Sequence, residues 1–390
     1  MEHLVEHHDE LGRNAAYVEC ERALGDFARR RSVLTLPNKW AFEARAGGSV
    51  TGAQLAVTWA RANQPATLRL AADEEPNVAA DTFLNRTYGL VAAAFADRII
   101  GRDGERDVTS AMLKLVNRRR HALYSGDFAQ MIHGQVLPLI SLDHLEPDGP
   151  NPLLYHPISG EVRSDFLGVV QQTLGRLIAR NRLALHEIDT EALASLFKEL
   201  FSNTHLHART DLRGALYRRS ARGIVFALRP VDIPHEKHTA GSNSLRQYFS
   251  SMKGLAIRPR VEFLEISVFD SGPGLAARAN RAAIPDDFSI DEEYQLVRSC
   301  FLKNVTTQSD PAHGLGLPRV MLALKTCGGF LRLRTGRLSL YKWFPPGLKV
   351  PRFEEEDTSF FDSEGGMTIR SHAPVAGAVF SILIPMGLGS

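Results

Sequence analysis

The chain has 390 residues, of which 44% are hydrophobic and 23% are charged, with a formal net charge of +2. This length predicts two domains, and the composition is typical of globular proteins. The small net charge argues against a strongly basic nucleic-acid-binding face, and no apolar run reaches the roughly 18 residues of a membrane helix. An acidic start without an apolar h-region and three widely spaced cysteines lead us to expect a cytoplasmic protein without disulfides or a zinc site.

The first 150 residues are predicted to form the smaller, α/β domain. Residues 1–30 are polar and predict a helix or an arm. Hydrophobic periodicity then predicts a strand at 33–36, a helix at 52–62 and a strand at 66–70. Two mainly helical stretches are predicted to follow at 80–100 and 107–133. The turn-rich stretch 146–152 is the predicted boundary between domains 1–150 and 151–390.

Two arginine runs, 29–31 and 118–120, raise the question of nucleic-acid binding. No recognised nucleic-acid module surrounds either run, so we interpret both as solvated helix ends. We therefore expect no nucleic-acid partner.

The second half is predicted to alternate helices with strands. Periodic apolar residues predict helices at 163–184, 189–208 and 316–327. Alternating β-branched and aromatic residues predict strands at 223–233, 261–269, 330–341, 366–370 and 377–385. Asp189 is the predicted N-cap of the second helix, and the polar stretch 235–253 predicts a surface insertion. This order predicts an α+β sandwich, a mixed or antiparallel sheet covered by helices.

The second of these helices carries three polar residues at four-residue spacing, Glu199, Asn203 and His207. Helix geometry places all three on one face. The amide oxygen of Asn203 suits Mg²⁺, which shares its coordination with water and phosphate, and Glu199 could orient or deprotonate an attacking water or hydroxyl. His207 could add charge near a phosphate. The alternative is a solvent-facing polar stripe on an amphipathic helix.

A second motif, Asp-Ser-Gly-Pro-Gly at 270–274, follows a strongly apolar strand. Asp270 can accept a hydrogen bond from the exocyclic amine of adenine, which guanine cannot supply at that position. Gly272 and Gly274 allow the backbone to approach a ligand closely. The alternative is an ordinary strand-ending turn, because Asp, Ser, Gly and Pro all favour turns.

A third motif, Gly-Leu-Gly-Leu at 314–317, leads into the last predicted helix. Glycines before a helix N-terminus expose backbone N–H groups to an anion, and the helix dipole favours the anion there. The motif is not a P-loop, because no Gly-Lys-Ser/Thr follows, and not a dinucleotide fingerprint, because no strand immediately precedes it. A flexible loop before a helix is the alternative.

In this order, the three motifs resemble the N-box, G1 box and G2 box of the GHKL superfamily, which includes gyrase-type topoisomerases, heat-shock chaperones, histidine kinases and mismatch-repair ATPases. The resemblance covers about residues 160–390, and the Glu-x-x-x-Asn-x-x-x-His form is most similar to the bacterial anti-sigma serine-kinase branch. It implies a Bergerat-type α/β sandwich with a mixed sheet that binds ATP and Mg²⁺. The opening of the chain also resembles STAS-like regulatory modules, without a diagnostic residue, and implies a regulatory or interaction role for 1–150.

The resemblance to the GHKL superfamily implies a role for each motif residue. Asn203 would hold Mg²⁺, Asp270 would read adenine, and Glu199 would be the catalytic base. Residues 275–313 would form the ATP lid. The other nucleotide-binding positions would be His207, Gly272, Gly274, Lys303, Thr306, Gly314, Leu315, Gly316 and Leu317.

The chain also departs from the family pattern in three places. Ala378 stands where many relatives have a threonine that helps to hold adenine through water. The third motif has a single Gly-Leu-Gly unit, and the segment 341–364 is an unusually long insertion. We therefore expect the adenine contacts to be weaker or arranged differently.

Three functions are compatible with such a site. The first is an ATPase-driven conformational switch in bacterial signalling or stress response, acting through a protein partner or a homodimer. The second is a protein kinase acting on serine, threonine or histidine, and the third is a nucleotide-sensing module with little turnover. The histidine-kinase form is disfavoured, because none of the His-acidic pairs beginning at His8, His186 and His235 lies on a dimerisation helix just before the ATP domain.

Overall fold

The computed structural model describes residues 7–71, 76–143, 150–181, 189–232, 242–252, 260–302, 316–347, 352–364 and 366–386. The chain has the predicted α+β class, with one four-stranded parallel sheet and one seven-stranded antiparallel sheet. Within these segments, every helix is too short or too polar to cross a lipid bilayer.

The N-terminal unit is built on the parallel sheet. Its strands are β1 (His7–Glu10), β2 (Ser32–Leu36), β3 (Thr67–Leu70) and β4 (Arg98–Ile100), and they lie side by side in chain order. Its helices are α1 (Tyr17–Phe27), α2 (Gly48–Ala62), α3 (Pro76–Leu84), α4 (Thr87–Phe95), α5 (Thr109–Tyr124) and α6 (Phe128–Met131). All residues of β2 are buried, as expected of a parallel strand that is covered on both faces.

The second unit is built on the antiparallel sheet. Its strands are β5 (Val136–Leu142), β6 (Ala221–Asp232), β7 (Arg260–Asp270), β8 (Phe330–Gly336), β9 (Leu338–Trp343), β10 (Phe361–Asp362) and β11 (Val375–Met386). Its helices are α7 (Phe166–Asn181), α8 (Thr190–Ala208), α9 (Asn243–Ser251), α10 (Leu275–Asn280), α11 (Ile290–Ser299) and α12 (Gly316–Thr326). The strand order is β10–β9–β8–β11–β7–β6–β5. Because β5 pairs with β6, this sheet begins before the predicted boundary at 150.

Helices cover both faces of the antiparallel sheet. Helix α8 packs on one face, where Phe197 meets Phe226 of β6 with 5.2 Å between ring centroids, and α7 and α12 pack against α8. Helix α2 packs across β11 and β7, where Gly47 N–H donates to the buried carboxylate of Glu265 (2.9 Å). Side chains alternate along a strand, so Glu265 and Asp270 of β7 point to opposite faces. The N-terminal unit therefore lies behind the face that carries Asp270.

Most predicted helices and strands of the second half are confirmed. Helices α7, α8 and α12 and strands β6, β7 and β11 occupy the stretches in which they were expected. Asp189 caps α8, since its carboxylate accepts a hydrogen bond from Ala192 N–H (2.9 Å). The sheet is antiparallel in every described pairing, which is one of the two arrangements expected from the order of the elements. The mixed sheet implied by the resemblance to the GHKL superfamily is not found among these pairings.

The prediction of the last strands needs two corrections. The single strand expected at 330–341 is the hairpin of β8 and β9, because the chain turns at Gly336, whose φ is +51°. The prediction of a strand at 366–370 is wrong. That stretch contains only an isolated bridge at Gly366, and the edge strand is the shorter β10.

The polar stretch 235–253 is not simply a surface insertion. Its described part, 242–252, contains α9, whose Tyr248 is fully buried. The Tyr248 ring packs against Phe263 and Phe330 with centroid distances of 6.1 and 5.4 Å. The serine-rich composition conceals an amphipathic helix, because only one side of it meets the sheet.

The N-terminal predictions also change in detail. The polar first 30 residues contain β1 and α1, and the stretch 80–100 ends in β4. The arginine run 29–31 is exposed after α1, as interpreted, but the run 118–120 lies within α5. Arg120 is only 3% exposed and its guanidinium carbon lies 5.5 Å from the Tyr124 ring centroid. The second run is therefore partly structural.

Candidate functional site

Helix α8 presents its polar residues to a cavity because its apolar residues are buried in the core. The buried side chains include Leu193, Leu196, Phe197, Leu200 and Phe201. Glu199, Asn203 and His207 recur at every fourth residue and stay partly exposed. Asn203 and His207 line the cavity.

Strand β7 ends at Asp270, which lines the same cavity. Gly272 N–H donates to its Oδ1 (2.8 Å), and the backbone of Ala378 on β11 also hydrogen-bonds the carboxylate. Burial raises the pKa of Asp270 to about 6, and the two backbone hydrogen bonds and the nearby Arg278 and Arg222 oppose that rise. The carboxylate is therefore oriented by the protein itself.

Close contacts explain the two glycines of the second motif. A Cβ at Gly272 would lie 2.7 Å from Ala208 Cα at the end of α8. Gly274 has a φ of +90°, and its Cβ would lie 2.9 Å from Thr335 Oγ1 of β8. The motif is a turn, but one packed directly against α8 and β8.

Thr335 supports the site although the sequence did not indicate it. Its Oγ1 accepts a hydrogen bond from Leu275 N–H (3.0 Å) and donates one to Gly377 O (3.2 Å). Gly377 N–H donates in turn to Gly272 O (2.7 Å). Thr335 pairs with Ala378 across β8 and β11. A buried threonine thus lies directly opposite Ala378, on a strand with no motif to mark it.

The described part of the third motif begins helix α12 at Gly316. A Cβ at Gly316 would lie 2.9 Å from Glu199 Oε2 and 3.7 Å from Asn203 Nδ2. The first turn of α12 therefore packs closely on the polar face of α8, and Gly316 and Leu317 line the cavity. Four predicted site residues lie outside the described residues, namely Lys303, Thr306, Gly314 and Leu315.

One cavity of about 260 Å³ brings together residues from all three motifs. Of the predicted site residues that the structure describes, Glu199 and Gly272 do not line it. Its apolar walls are formed by Leu200, Leu275, Leu296, Leu317, Ala378 and Phe380. Apolar walls with a few convergent polar groups are typical of small-molecule sites.

Glu199 lies beside the cavity and is paired with Arg319 of α12. Arg319 NH1 donates to Glu199 Oε1 at 2.9 Å. The Arg319 side chain is 55% exposed and that of Glu199 is 22% exposed. An ion pair this accessible contributes about 0–1 kcal/mol. Glu199 is therefore restrained by a contact that a competing anion can replace.

Arg278 of α10 is a second site residue that the sequence did not indicate. It lines the cavity, and its guanidinium donates to the carbonyl oxygens of His207 (2.6 Å), Asp211 (3.1 Å) and Thr210. A cation stabilises the unpaired carbonyls at a helix C-terminus. Arg278 therefore fastens the helix after the second motif to the end of the helix that carries the first.

The described part of the predicted lid is attached to the sheet. Glu293 of α11 accepts a hydrogen bond from Arg337 Nε (2.7 Å), and Phe360 N–H donates to the Tyr294 hydroxyl (3.0 Å). Helix α11 is thus hydrogen-bonded to residues beside β9 and β10, and its Leu296 and Ser299 line the cavity. The rest of the predicted lid lies outside the described residues.

The donor set fits Mg²⁺ only together with a nucleotide. Among the described residues, no group of three or more His, Cys, Asp or Glu side chains could hold a metal ion. Asn203 offers one hard oxygen ligand. Mg²⁺ in nucleotide sites usually keeps several waters and takes its other ligands from phosphates. Asn203 therefore fits as the protein ligand of a metal–nucleotide complex, not as part of an independent metal centre.

Comparison of the chain with protein-family models, curated proteins and solved structures returns no significant match. Membership of the GHKL superfamily stays a prediction, based on the three motifs.

Proposed function

We propose that the chain binds ATP with Mg²⁺ in the cavity between α8, β7 and α12, and that ATP binding drives a conformational switch in bacterial signalling or stress response. The observation that carries the proposal is the convergence of Asn203, Asp270, Gly274 and Gly316 on one cavity. Each motif alone has an ordinary explanation as a polar stripe, a turn or a loop. If these three ordinary explanations were correct, nothing would require the three motifs to line the same cavity.

The adenine end is supported by the chemistry around Asp270. Its carboxylate accepts a hydrogen bond from the amine of adenine, whereas guanine presents an acceptor there and leaves both groups unpaired. Leu275, Leu317 and Phe380 supply apolar walls for a flat base. These features favour adenine nucleotides over guanine nucleotides.

The phosphate end is supported by the start of α12. The first N–H groups of a helix have no intrahelical partner, and the dipole favours an anion there. Gly316 places these groups beside Asn203, the residue that would hold Mg²⁺. A bound Mg²⁺ neutralises phosphate charge during transfer.

Glu199 is the candidate base for hydrolysis, and its contact with Arg319 favours slow turnover. A base must accept a proton from the attacking water, but Glu199 Oε1 is engaged with the guanidinium. A phosphate near Arg319 competes for the same guanidinium, since arginine binds both groups well. Nucleotide binding thereby frees Glu199, which makes turnover depend on the bound state.

The test measures binding and the fate of the γ-phosphate separately. Calorimetry with purified protein, ATP and Mg²⁺ measures affinity, and γ-labelled ATP shows where the phosphate goes. We expect saturable ATP binding and slow release of free phosphate. If Asn203→Ala and Asp270→Ala both leave ATP affinity unchanged, the site assignment is wrong.

One observation favours a second candidate, a nucleotide-sensing module with little turnover. Glu199 does not line the cavity and is paired with Arg319. This candidate predicts ATP binding without phosphate release, and no effect of Glu199→Ala. Transfer of the label to a protein would instead indicate the kinase.

A further inference from the structure

Strand β11 contains an irregularity beside Asp270. Its register with β8 shifts between Val375 and Ala378. A bulge of this kind leaves backbone groups without partners in the ladder and re-aims the residues that follow. Those residues are Gly377, whose Cβ would lie 1.9 Å from Asp270 O, and Ala378, which lines the cavity. The shape of the bulge therefore determines the geometry around the Asp270 carboxylate.

The N-terminal unit supplies the hydrogen bonds that this bulge lacks. Gln54 Nε2 of α2 donates to Ala376 O (3.3 Å) and to Arg334 O (3.1 Å). Thr58 Oγ1 accepts a hydrogen bond from Ala376 N–H (3.0 Å). Gln54 and Thr58 are both buried, so water is a poor substitute for either. Both backbone groups of Ala376 are thus satisfied by α2.

A third residue of α2 holds the segment after β7. Arg61 NH2 donates to Ser271 O (2.8 Å), directly after Asp270. Gln54, Thr58 and Arg61 are four and three residues apart, so they lie on one face of α2. We call these three residues the polar face of α2. It contacts Ala376 of β11, Arg334 of β8 and Ser271 directly after β7.

We propose that the polar face of α2 positions the adenine end of the cavity for nucleotide recognition. This inference rests on the proposed function. It makes the N-terminal unit a part of the nucleotide site, because a displacement of α2 releases the bulge in β11 and the end of β7. Ligands or partners that move α2 then change the affinity for ATP.

The main test is Thr58→Val in the 390-residue chain. Valine keeps the shape of threonine and removes the acceptor for Ala376 N–H. Calorimetry with Mg-ATP and Mg-GTP should show ATP binding that is about three- to tenfold weaker, as expected for one lost hydrogen bond. GTP binding should change little, because GTP does not use the Asp270 contact. A purely structural role would instead weaken both nucleotides equally.

Two further variants at α2 control the test. Thr58→Ser keeps the hydroxyl and should restore ATP affinity to about the wild-type value. Thr51→Val makes the same substitution at a partly exposed position of α2 and should leave both affinities unchanged. Gln54→Leu removes the neighbouring donor and should reproduce the Thr58→Val result, which covers the case in which Thr58→Val does not fold.

The outcomes separate the two proposals. If wild type binds ATP, and folded Thr58→Val and Gln54→Leu proteins bind it equally well, the positioning role of α2 is wrong and the proposed function stands. If wild type does not bind ATP at all, the proposed function fails and this inference fails with it.

Discussion

The two ends of the cavity differ in how fully the protein has built them. At the proposed adenine end, Asp270 is held by backbone donors, and Thr335 hydrogen-bonds the neighbouring segments. At the proposed phosphate end, Asn203 stays partly exposed and Glu199 is paired with Arg319. In the proposed nucleotide site, base recognition would therefore be prepared by the fold, whereas phosphate chemistry would depend on contacts that a nucleotide can rearrange.

The architecture explains this difference. The adenine end lies on β7 and β11, two inner strands of the seven-stranded sheet, with α2 packed behind them. The phosphate end lies between the side chains of α8 and the first turn of α12. Inner strands are paired on both sides and open rarely, whereas helix starts and exposed ion pairs rearrange at low cost.

The largest expected effect lies at the phosphate end. Glu199→Gln should lower the rate of phosphate release by about 100-fold, because a general base typically contributes this much or more. ATP affinity should stay constant or rise by up to about fivefold, because the variant removes a competitor for Arg319 whose exposed ion pair contributes about 0–1 kcal/mol. Glu191→Gln, at an exposed position of the first turn of α8, is the matched control. An unchanged release rate would remove Glu199 from the catalytic assignment.

The second-largest expected effect is a loss of ATP affinity at the proposed adenine end. Asp270→Asn should weaken ATP binding by about 30-fold, the loss expected for a hydrogen bond to a charged group. The preference for ATP over GTP should shrink with it, and calorimetry with both nucleotides measures the two changes. Asp287→Asn is the control, because Asp287 is exposed. Equal affinity of Asp270→Asn and wild type would contradict adenine recognition by Asp270.

Gly274→Ala tests how tightly the adenine end is packed. The φ of +90° and the 2.9 Å approach of a Cβ to Thr335 Oγ1 predict a loss of about 1–3 kcal/mol in the free energy of unfolding. Urea denaturation measures it. Gly175→Ala in α7 should have the opposite sign, about 0.5–1 kcal/mol of stabilisation, because Gly175 is helical and has open space around it. Similar unfolding curves for both variants would show that the turn is not strained.

The smallest expected effect is a pH dependence of ATP binding. Since burial raises the pKa of Asp270 to about 6, the ionised acceptor is lost as pH falls through 6. ATP affinity should fall by about tenfold between pH 7 and 5. Without nucleotide, the free energy of unfolding depends on pH in the opposite direction. The carboxyl group of Asp270 binds its proton more tightly in the native state than in the unfolded state. The stabilisation of the native state by this proton is therefore complete below pH 3.8 and is lost as pH rises through about 6.

Asp270→Asn is the control for both pH effects. It carries no titratable group at 270, so the difference between wild type and the variant isolates the Asp270 contribution from that of the ATP phosphates. Parallel pH profiles for the two proteins would show that the carboxylate does not control binding.

Local patterns predicted much of the second unit. The apolar spacing from Leu193 to Phe201 predicted α8 and its polar face, and the alternation before Asp270 predicted β7. The pattern worked for α8 because one face of the helix meets the core. Strand β7 is buried on both faces, and its content of β-branched and aromatic residues predicted it. The short edge strand β10 was placed wrongly, and the buried side of α9 was hidden by its polar composition.

The supporting residues around the site were not predictable. Thr335, Arg278 and Arg319 belong to three different elements and carry no motif of their own. Gln54 and Thr58 read as ordinary polar residues of a helix in the N-terminal unit. Their roles depend on which carbonyl or N–H group comes within about 3 Å of them, and no pattern of neighbours in sequence specifies that distance.

The sequence by itself determined the local identity of the three motifs: a polar helix face, a strand that ends in aspartate, and glycines at a helix start. These follow from backbone periodicity and from the conformations that glycine permits. Tertiary structure alone decided that Glu199 pairs with Arg319 and that α2 satisfies the bulge in β11. Hydrogen bonds and ion pairs act over a few ångströms, so their partners are chosen only when distant segments of the chain pack together.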